Sequence, residues 1–136
     1  IELLEDSTGV FFETGSARPR DNVVALLRTI GGELAAMPNG VMVDGYTDAA
    51  PYQMGATYSN WELSTDRANT ARRTLLAGGL REEQVTQVRG HAERDLRIPS
   101  DPRSASNRRV TITMLFQPDP ALVRDTLAAR AGLGLR

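Results

Sequence analysis

Three short stretches of the chain carry the side chains whose types and spacing could do chemistry. The stretch Gly45–Asp48 ends in a carboxylate, Asn60–Ala68 brings an amide and a guanidinium group, and Asn107–Val110 brings an amide and two more guanidinium groups. None of these stretches contains an evident nucleophile, metal-ligand cluster or nucleotide-binding loop. A carboxylate beside guanidinium and amide groups can pair with both charges of a small zwitterion. These residues therefore indicate binding more than catalysis.

The second stretch places four residues on one face of a predicted helix. They are spaced i, i+3, i+4 and i+7, and they are Asn60, Leu63, Ser64 and Arg67. Asn60 and Arg67 would lie about 10 Å apart along the helix axis. Arg67 could bind a carboxylate, while Asp48 could receive an ammonium group. The alternative is a structural salt bridge between Asp48 and Arg67, and the spacing does not decide between the two.

The third stretch leads into the last predicted strand. Side chains alternate along a strand, so Arg108 is expected on the side of Val110 and Arg109 on the side of Thr111. Only one of the two arginines could easily reach a given site, and the sequence does not choose between them. For each arginine, the alternative is a solvated position at the entry of the strand.

Catalytic and cofactor-dependent functions have little support in the sequence. His91 is the only histidine, and no partner for a histidine-based relay is evident, so we expect it to lie in a loop or to help close the site. Asp48 and Glu62 could form a glycosidase carboxylate pair, but Glu62 is expected to cap a helix. The chain has no cysteine and no histidine cluster, so neither a zinc site nor a cofactor is indicated.

Length and composition favour one small globular domain. The chain has 136 residues, of which 40% are hydrophobic and 24% are charged. A net charge of -1 gives no general attraction to nucleic acid. No apolar run reaches the roughly 20 residues needed to span a bilayer. Because the chain starts without a methionine or a signal peptide, we expect it to be part of a longer protein.

The first half of the chain is predicted to form strand, helix and strand. Val10–Phe12 and Val41–Val43 are the predicted strands, and Pro19 is expected in the first turn of the helix between them. The apolar residues that recur at helical spacing in this region are Val23, Leu27, Ile30, Leu34 and Met37.

The second half is predicted to form a helix and two strands. Ser59 stands three residues before Glu62, the spacing of a capping box, and Gly78–Gly79 would end this helix. Gln84–Arg89 and Val110–Met114 are the predicted strands. The order β-α-β-α-β-β predicts an α/β domain (α+β, two layers) with helices on a mixed sheet. We expect this domain to cover residues 1–118 and a C-terminal helical extension to cover 119–136.

Taken in order, the three stretches resemble the OmpA-like C-terminal peptidoglycan-binding domain. The resemblance runs from about Val10 to Leu115. Within this superfamily, Phe12–Ala17 and Tyr58–Asn69 are most similar to the periplasmic domain of MotB-type flagellar stator proteins. Tyr46 departs from that pattern, because MotB-type proteins usually have a histidine there.

The resemblance implies a ligand and a set of binding residues. Asp48 would bind the ammonium group, and Arg67 the carboxylate, of a diaminopimelate side chain in the stem peptide of peptidoglycan. The other residues implied to shape this groove are Thr47, Asn60, Leu63, Ser64, Asn107, Arg108 and Arg109. No catalytic residue is implied.

The resemblance also implies a cellular role. The chain would be the periplasmic domain of an inner-membrane protein of a Gram-negative bacterium and would anchor a flagellar motor stator to the cell wall. A homodimer is implied, as is a MotA-type membrane partner bound through the missing N-terminal region. The alternatives are a passive OmpA- or Pal-type wall tether without a motor role, a peptidoglycan-cleaving enzyme and a purely structural oligomerisation module.

Overall fold

The computed structural model describes residues 2–4, 11–12, 15–51 and 57–115. Two helices pack on a mixed sheet of four strands. In chain order the elements are β1 (Glu2–Leu4), α1 (Asp21–Ala35), β2 (Val41–Tyr46), α2 (Asn60–Gly78), β3 (Val85–Gly90) and β4 (Arg109–Met114). The order β-α-β-α-β-β and the helices on a mixed sheet confirm the predicted α+β fold.

The strand order of the sheet brings distant parts of the chain to one edge. The order is β1-β4-β2-β3, with β2 parallel to β3 and antiparallel to β4. Tyr46 at the end of β2 pairs with Arg109 at the start of β4. The loop after β2, with Thr47 and Asp48, therefore lies beside the residues that lead into β4, Asn107 and Arg108.

Helix α1 buries apolar residues at the predicted spacing. Those that are buried are Val23, Leu27 and Leu34. The helix begins at Asp21 after an extended Arg20, so Pro19 lies outside the first turn, contrary to the prediction. Met37 lies beyond the helix end and is 40% exposed.

The first strand of the sheet is Glu2–Leu4. The prediction of a strand at Val10–Phe12 was therefore wrong for Phe11 and Phe12, the two residues of this run that the structure describes. Phe12 forms a single antiparallel bridge with Pro19 and does not belong to the sheet. Its side chain is buried in the core instead. Val10 lies outside the described residues. Burial of Phe12 in the core therefore explains its apolar character.

Helix α2 begins and ends where the sequence predicts. The backbone N–H of Ser59 donates to the Glu62 carboxylate at 2.8 Å, and the Ser59 hydroxyl accepts from the backbone N–H of Trp61 at 3.2 Å. Hydrogen bonds from Ser59 lower the pKa of the Glu62 carboxyl. Gly79 ends the helix with φ of 127°, a conformation that favours glycine. The predicted capping role of Glu62 is confirmed.

The end of β2 lies directly against α2. A Cβ at Gly45 would collide with the backbone carbonyl of Ser64, so only glycine permits this approach. Gly90 on β3 meets the same helix at Thr65. The buried face of α2 is thereby held next to the loop that follows β2.

Neither helix in the described part of the chain is long and apolar enough to cross a membrane. The expected domain boundary at residue 118 and the helical extension 119–136 lie outside the described residues.

Candidate functional site

The carboxylate of Asp48 is buried and engaged at both oxygens. Oδ1 accepts a hydrogen bond from the backbone N–H of Ala50 at 2.9 Å. Oδ2 lies 2.5 Å from Nη1 of Arg108. The side chain is only 11% exposed, so these two donors stand in for the water that a carboxylate normally binds. A cationic ligand could reach this carboxylate only by replacing Arg108.

Arg108 and Arg109 have different surroundings. Arg108 pairs with Asp48 and keeps 32% of its side chain exposed. Arg109 is buried, with its Cζ 3.8 Å from the centre of the Tyr46 ring, and it donates to the backbone carbonyl of Asp95 at 2.8 Å. Arg108 is thus the arginine beside the Asp48 carboxylate, which the sequence could not decide.

Arg67 is buried on the inner face of α2. Its Nε donates to the backbone carbonyl of Ser16 at 2.9 Å, and its Cζ lies 5.0 Å from the centre of the Phe12 ring. The sequence left open a structural salt bridge between Asp48 and Arg67. The salt bridge that the structure gives to Asp48 is with Arg108.

Arg67 and Arg108 line one small space at this edge of the sheet. The other lining residues are Phe11, Phe12 and Arg109. The five side chains leave no room between them for even a water-sized molecule. A ligand that binds here must therefore displace a side chain, and Arg108, which is 32% exposed, is more exposed than Arg67 or Arg109.

Thr47 and Ser64 hold the Asp48 loop through Ala92. The backbone N–H of Thr47 donates to the Ala92 carbonyl at 2.9 Å, and the backbone N–H of Ala92 donates to the Ser64 hydroxyl at 3.0 Å. Ala92 has a φ of 52° and is fully buried. These contacts are those of positioning residues, and direct contact of Thr47 or Ser64 with a ligand stays a prediction.

Asn60 joins α2 to the same loop. Its Nδ2 donates to the backbone carbonyl of Ala50 at 3.0 Å and lies 3.3 Å from Oε2 of Glu93. Leu63, one turn further along, is buried beneath it at 5% exposure. The backbone N–H of Ala50 also donates to the Asp48 carboxylate. Ala50 therefore links the amide of Asn60 to the buried carboxylate.

Asn107 organises the long loop before β4. Its Oδ1 accepts from the backbone N–H of Ile98 at 2.7 Å, and its Nδ2 donates to the carbonyl of Asp101 at 2.8 Å. The carbonyl of Pro102 in this loop accepts from the backbone N–H of Ala49 at 2.9 Å. Asn107 is completely buried, so its contacts position the neighbours of Asp48.

A second cluster, which the sequence did not reveal, surrounds Asp44 on the sheet face away from the helices. The buried Asp44 carboxylate lies 2.7 Å from Nε of Arg89 and 2.7 Å from Nε2 of His91. His91 stacks on Tyr46, with ring centres 4.4 Å apart. Burial raises the pKa of the Tyr46 hydroxyl, and the nearby Asp44 carboxylate adds to this. The Asp44 hydrogen bond raises the pKa of Arg89.

His91 therefore has a carboxylate partner that could not be found in the sequence. The sequence did give one indication of this cluster, since Asp44 interrupts an apolar run. Alternation along the strand places its side chain on the face opposite Val43. What the sequence could not supply is the register that sets β2 beside β3. Across the part of the chain that the structure describes, no group of three or more histidine, aspartate or glutamate side chains is placed to hold a metal ion.

Comparison with known proteins identifies the family. Residues 11–109 match the sequence model of the OmpA family. The chain belongs to the OmpA family. It is also 39% identical over 116 residues to Motility protein B of Escherichia coli K12, an alignment that covers 85% of this chain and 38% of that protein. The chain thus spans well under half the length of this relative.

Solved structures with the same fold include periplasmic domains of MotB. The periplasmic domain of Helicobacter pylori MotB superposes with a TM-score of 0.76 at 18% identity, covering 96% of this chain and 83% of that one. The cell wall anchor of the T6SS from Pseudomonas aeruginosa superposes with a TM-score of 0.65 at 29% identity, covering 79% and 76%. The predicted resemblance to OmpA-like domains and to MotB is confirmed.

Proposed function

We propose that this chain binds peptidoglycan without cleaving it and so anchors a flagellar motor stator to the cell wall. The observation that carries this proposal is the buried Asp48 carboxylate paired with Arg108, which in turn shares its surroundings with Arg67. Membership of the OmpA family and the similarity to Motility protein B support the assignment to a wall-anchored stator.

The proposed ligand is the diaminopimelate side chain of the stem peptide, which carries an ammonium and a carboxylate on one carbon. Its ammonium would replace Arg108 at the Asp48 carboxylate. Its carboxylate would then be bound by Arg67 and by the displaced Arg108. In this exchange the buried Asp48 carboxylate keeps a cationic partner, and the released Arg108 gains an anionic one, although the free site has no open space. The residues proposed to shape the groove around this ligand are Thr47, Asn60, Leu63, Ser64, Asn107 and Arg109.

The contacts of these side chains support a binding role without catalysis. The carboxylate of Asp48 is held by a guanidinium group and a backbone N–H, and Glu62 is occupied by the cap of α2. A general base needs a position from which it can take a proton from water or substrate. The contacts of both carboxylates suit recognition and helix capping better than proton transfer.

The cellular setting is part of the same proposal. We place the chain in the periplasm, as a domain of an inner-membrane protein of a Gram-negative bacterium. A homodimer would bind the wall at two points, and a MotA-type membrane partner would be bound by a region outside this chain. Both features rest on the similarity to Motility protein B.

A passive wall tether of the OmpA or Pal type is the second candidate. It is favoured by the 29% identity to a cell wall anchor that belongs to the T6SS and not to a flagellar motor. The N-terminal region of the parent protein decides between the two. One membrane helix carrying an aspartate would indicate a stator, whereas a β-barrel or a lipoprotein signal would indicate a tether.

The test is sedimentation of the chain with purified peptidoglycan sacculi. Asp48→Asn and Arg67→Ala should each weaken binding by roughly 10- to 100-fold, since each removes one charge-assisted contact. Arg73→Ala is the matched control, because Arg73 is an exposed arginine on the same helix. Circular dichroism confirms that each variant is folded. Sedimentation of both folded variants at the level of the parent chain would contradict the proposal.

A further inference from the structure

Tyr46, at the end of β2, is enclosed between a histidine and an arginine from the two neighbouring strands. The His91 ring, just after β3, lies nearly parallel to the Tyr46 ring, with the ring centres 4.4 Å apart. Cζ of Arg109, at the start of β4, lies 3.8 Å from the centre of the same ring. Because β2 lies between β3 and β4, the two residues approach the ring from opposite sides. Both contacts use the faces of the ring and not its hydroxyl group.

The histidine side of this stack is itself held in place. Nε2 of His91 lies 2.7 Å from the Asp44 carboxylate, which also lies 2.7 Å from Nε of Arg89. The backbone N–H of His91 donates to the Gly45 carbonyl at 3.0 Å. Tyr46 therefore packs against a ring that is fixed through both its side chain and its backbone.

The arginine side of the stack leads to the Asp48 site. Nη1 of Arg109 donates to the backbone carbonyl of Asn107 at 3.1 Å, and Nη2 donates to that of Asp95 at 2.8 Å. The Asn107 carbonyl belongs to the peptide group that joins Asn107 to Arg108, so its orientation affects how the Arg108 side chain leaves the backbone. Arg108 precedes β4, and the pairing of that strand with β2 does not extend to it. The contacts of Arg109 therefore hold a peptide group that the sheet does not.

We propose that Tyr46 is a positioning residue that sets the selectivity of the Asp48 site. By holding the Arg109 guanidinium, its ring fixes the turn before β4 and keeps Arg108 directed at the Asp48 carboxylate. This inference rests on the proposed exchange of Arg108 for a ligand ammonium. A loosely held Arg108 would compete less with an incoming amine and would bind a ligand carboxylate less well. Both effects reduce the preference for a ligand that carries both charges.

Two stem peptides measure this preference by isothermal titration calorimetry. One contains diaminopimelate, and the other contains lysine at the same position, whose side chain has the ammonium but not the carboxylate. The preference is the ratio of the two affinities. Tyr46→Leu should lower this ratio about three- to tenfold, whereas Tyr46→Phe keeps the ring and should keep the ratio. His91→Ala removes the support on the other side of the ring without a change on β2, and it should lower the ratio in the same direction.

Gly31→Ala is the control for a loss of stability alone. A Cβ at this position would collide with the backbone of Leu75, near the opposite end of α2 from Asn60. This variant should keep the ratio of the parent chain, and circular dichroism confirms that each variant is folded. A parent-like ratio in both Tyr46→Leu and His91→Ala overturns the inference. An equal fall in Gly31→Ala also overturns it, because the effect would then follow stability.

Nuclear magnetic resonance of the free chain tests the inference without a ligand. Pairing with Asp48 should shift the guanidinium N–H signals of Arg108 and slow their exchange with water, and Asp48→Asn gives their values without the pair. In Tyr46→Leu the signals should move towards those values, whereas in Tyr46→Phe they should stay. Arg108 signals that do not move in Tyr46→Leu overturn the inference. If neither peptide binds the parent chain, the proposed function fails, and this measurement alone decides the role of Tyr46.

Discussion

Asp48 shows, at the level of a single residue, why a buried charge points to binding. Removing a carboxylate from water is unfavourable unless donors replace the lost hydration. Here one donor is the backbone of Ala50 and the other is Arg108, whose side chain is still 32% exposed. A buried ion pair contributes little to stability by itself. In the proposed function, a ligand ammonium would take the place of the partly exposed Arg108, so this pair would serve exchange with a ligand more than the stability of the fold.

Ser64 offers a prediction at the same scale, about positioning rather than contact. Ser64→Ala removes the acceptor for the backbone N–H of Ala92, which is completely buried. An unsatisfied buried donor costs about 1–3 kcal/mol, so the free energy of unfolding should fall by that amount. Urea denaturation measures it.

The control for Ser64 is the hydroxyl next to it. Thr65 donates to the carbonyl of Trp61, as Ser64 does, but that bond stays within the helix. Thr65→Ala should change the free energy of unfolding by no more than about 0.5 kcal/mol. Equal losses in the two variants would show that the bond to Ala92 does not hold the loop.

At the level of elements, helices were predicted better than the first strand. Helix α2 carries its own boundaries, because Ser59 and Glu62 form the cap and Gly79 takes the φ of 127° that ends it. Phe12 belongs to an apolar run too short to show a period. A short run does not distinguish a strand from an extended segment buried against a helix.

The two arginines before β4 show a second limit of sequence reasoning. Alternation applies only within a strand, and Arg108 lies one residue before β4 begins at Arg109. Its direction depends on the turn at 105–107 and on the buried Asn107. The types of the charged groups could be predicted from sequence, whereas the partner of each carboxylate required the sheet register.

The crossing of the two helices gives a prediction at the element scale. A Cβ at Gly31 of α1 would collide with the backbone of Leu75 in α2, whereas a Cβ at Gly32 would lie 3.2 Å from the carbonyl oxygen of Gly78. Gly31→Ala should lower the free energy of unfolding by about 1–3 kcal/mol through overpacking.

Gly32→Ala is its matched partner, since it makes the same change one position along the helix. The free energy of unfolding of Gly32→Ala should exceed that of Gly31→Ala by at least about 1 kcal/mol. Chemical denaturation of both variants measures the difference. Equal stabilities would mean that the helices do not approach each other at Gly31.

For the whole molecule, the sheet order explains how three separate stretches come together at the candidate site. The order β1-β4-β2-β3 puts the end of β2 beside the start of β4. Close contact at Gly45 places α2 against both. One site of this size, with two or three charge-assisted contacts, gives only modest affinity. If the chain is the proposed wall anchor, we expect it to bind through more than one such site.

A forced dimer tests this requirement. The chain fused to a parallel coiled coil should bind sacculi with an apparent affinity about 100-fold higher than the monomer, since the second contact becomes intramolecular. Sedimentation over a range of sacculus concentrations measures the affinity. The same fusion carrying Asp48→Asn is the control. Equal binding by monomer and dimer would show that one site is sufficient.

The closed pairing of Asp48 with Arg108 also has a consequence for selectivity. An anion alone could attract Arg108 but would leave the buried Asp48 carboxylate without its counter-ion, which is unfavourable. An amine alone could replace Arg108, and the released guanidinium could still reach solvent. The site should therefore exclude simple anions more strongly than simple amines. A molecule that carries both charges at a short distance would supply a cation to Asp48 and an anion to the released guanidinium, so we expect the closed site to favour zwitterions.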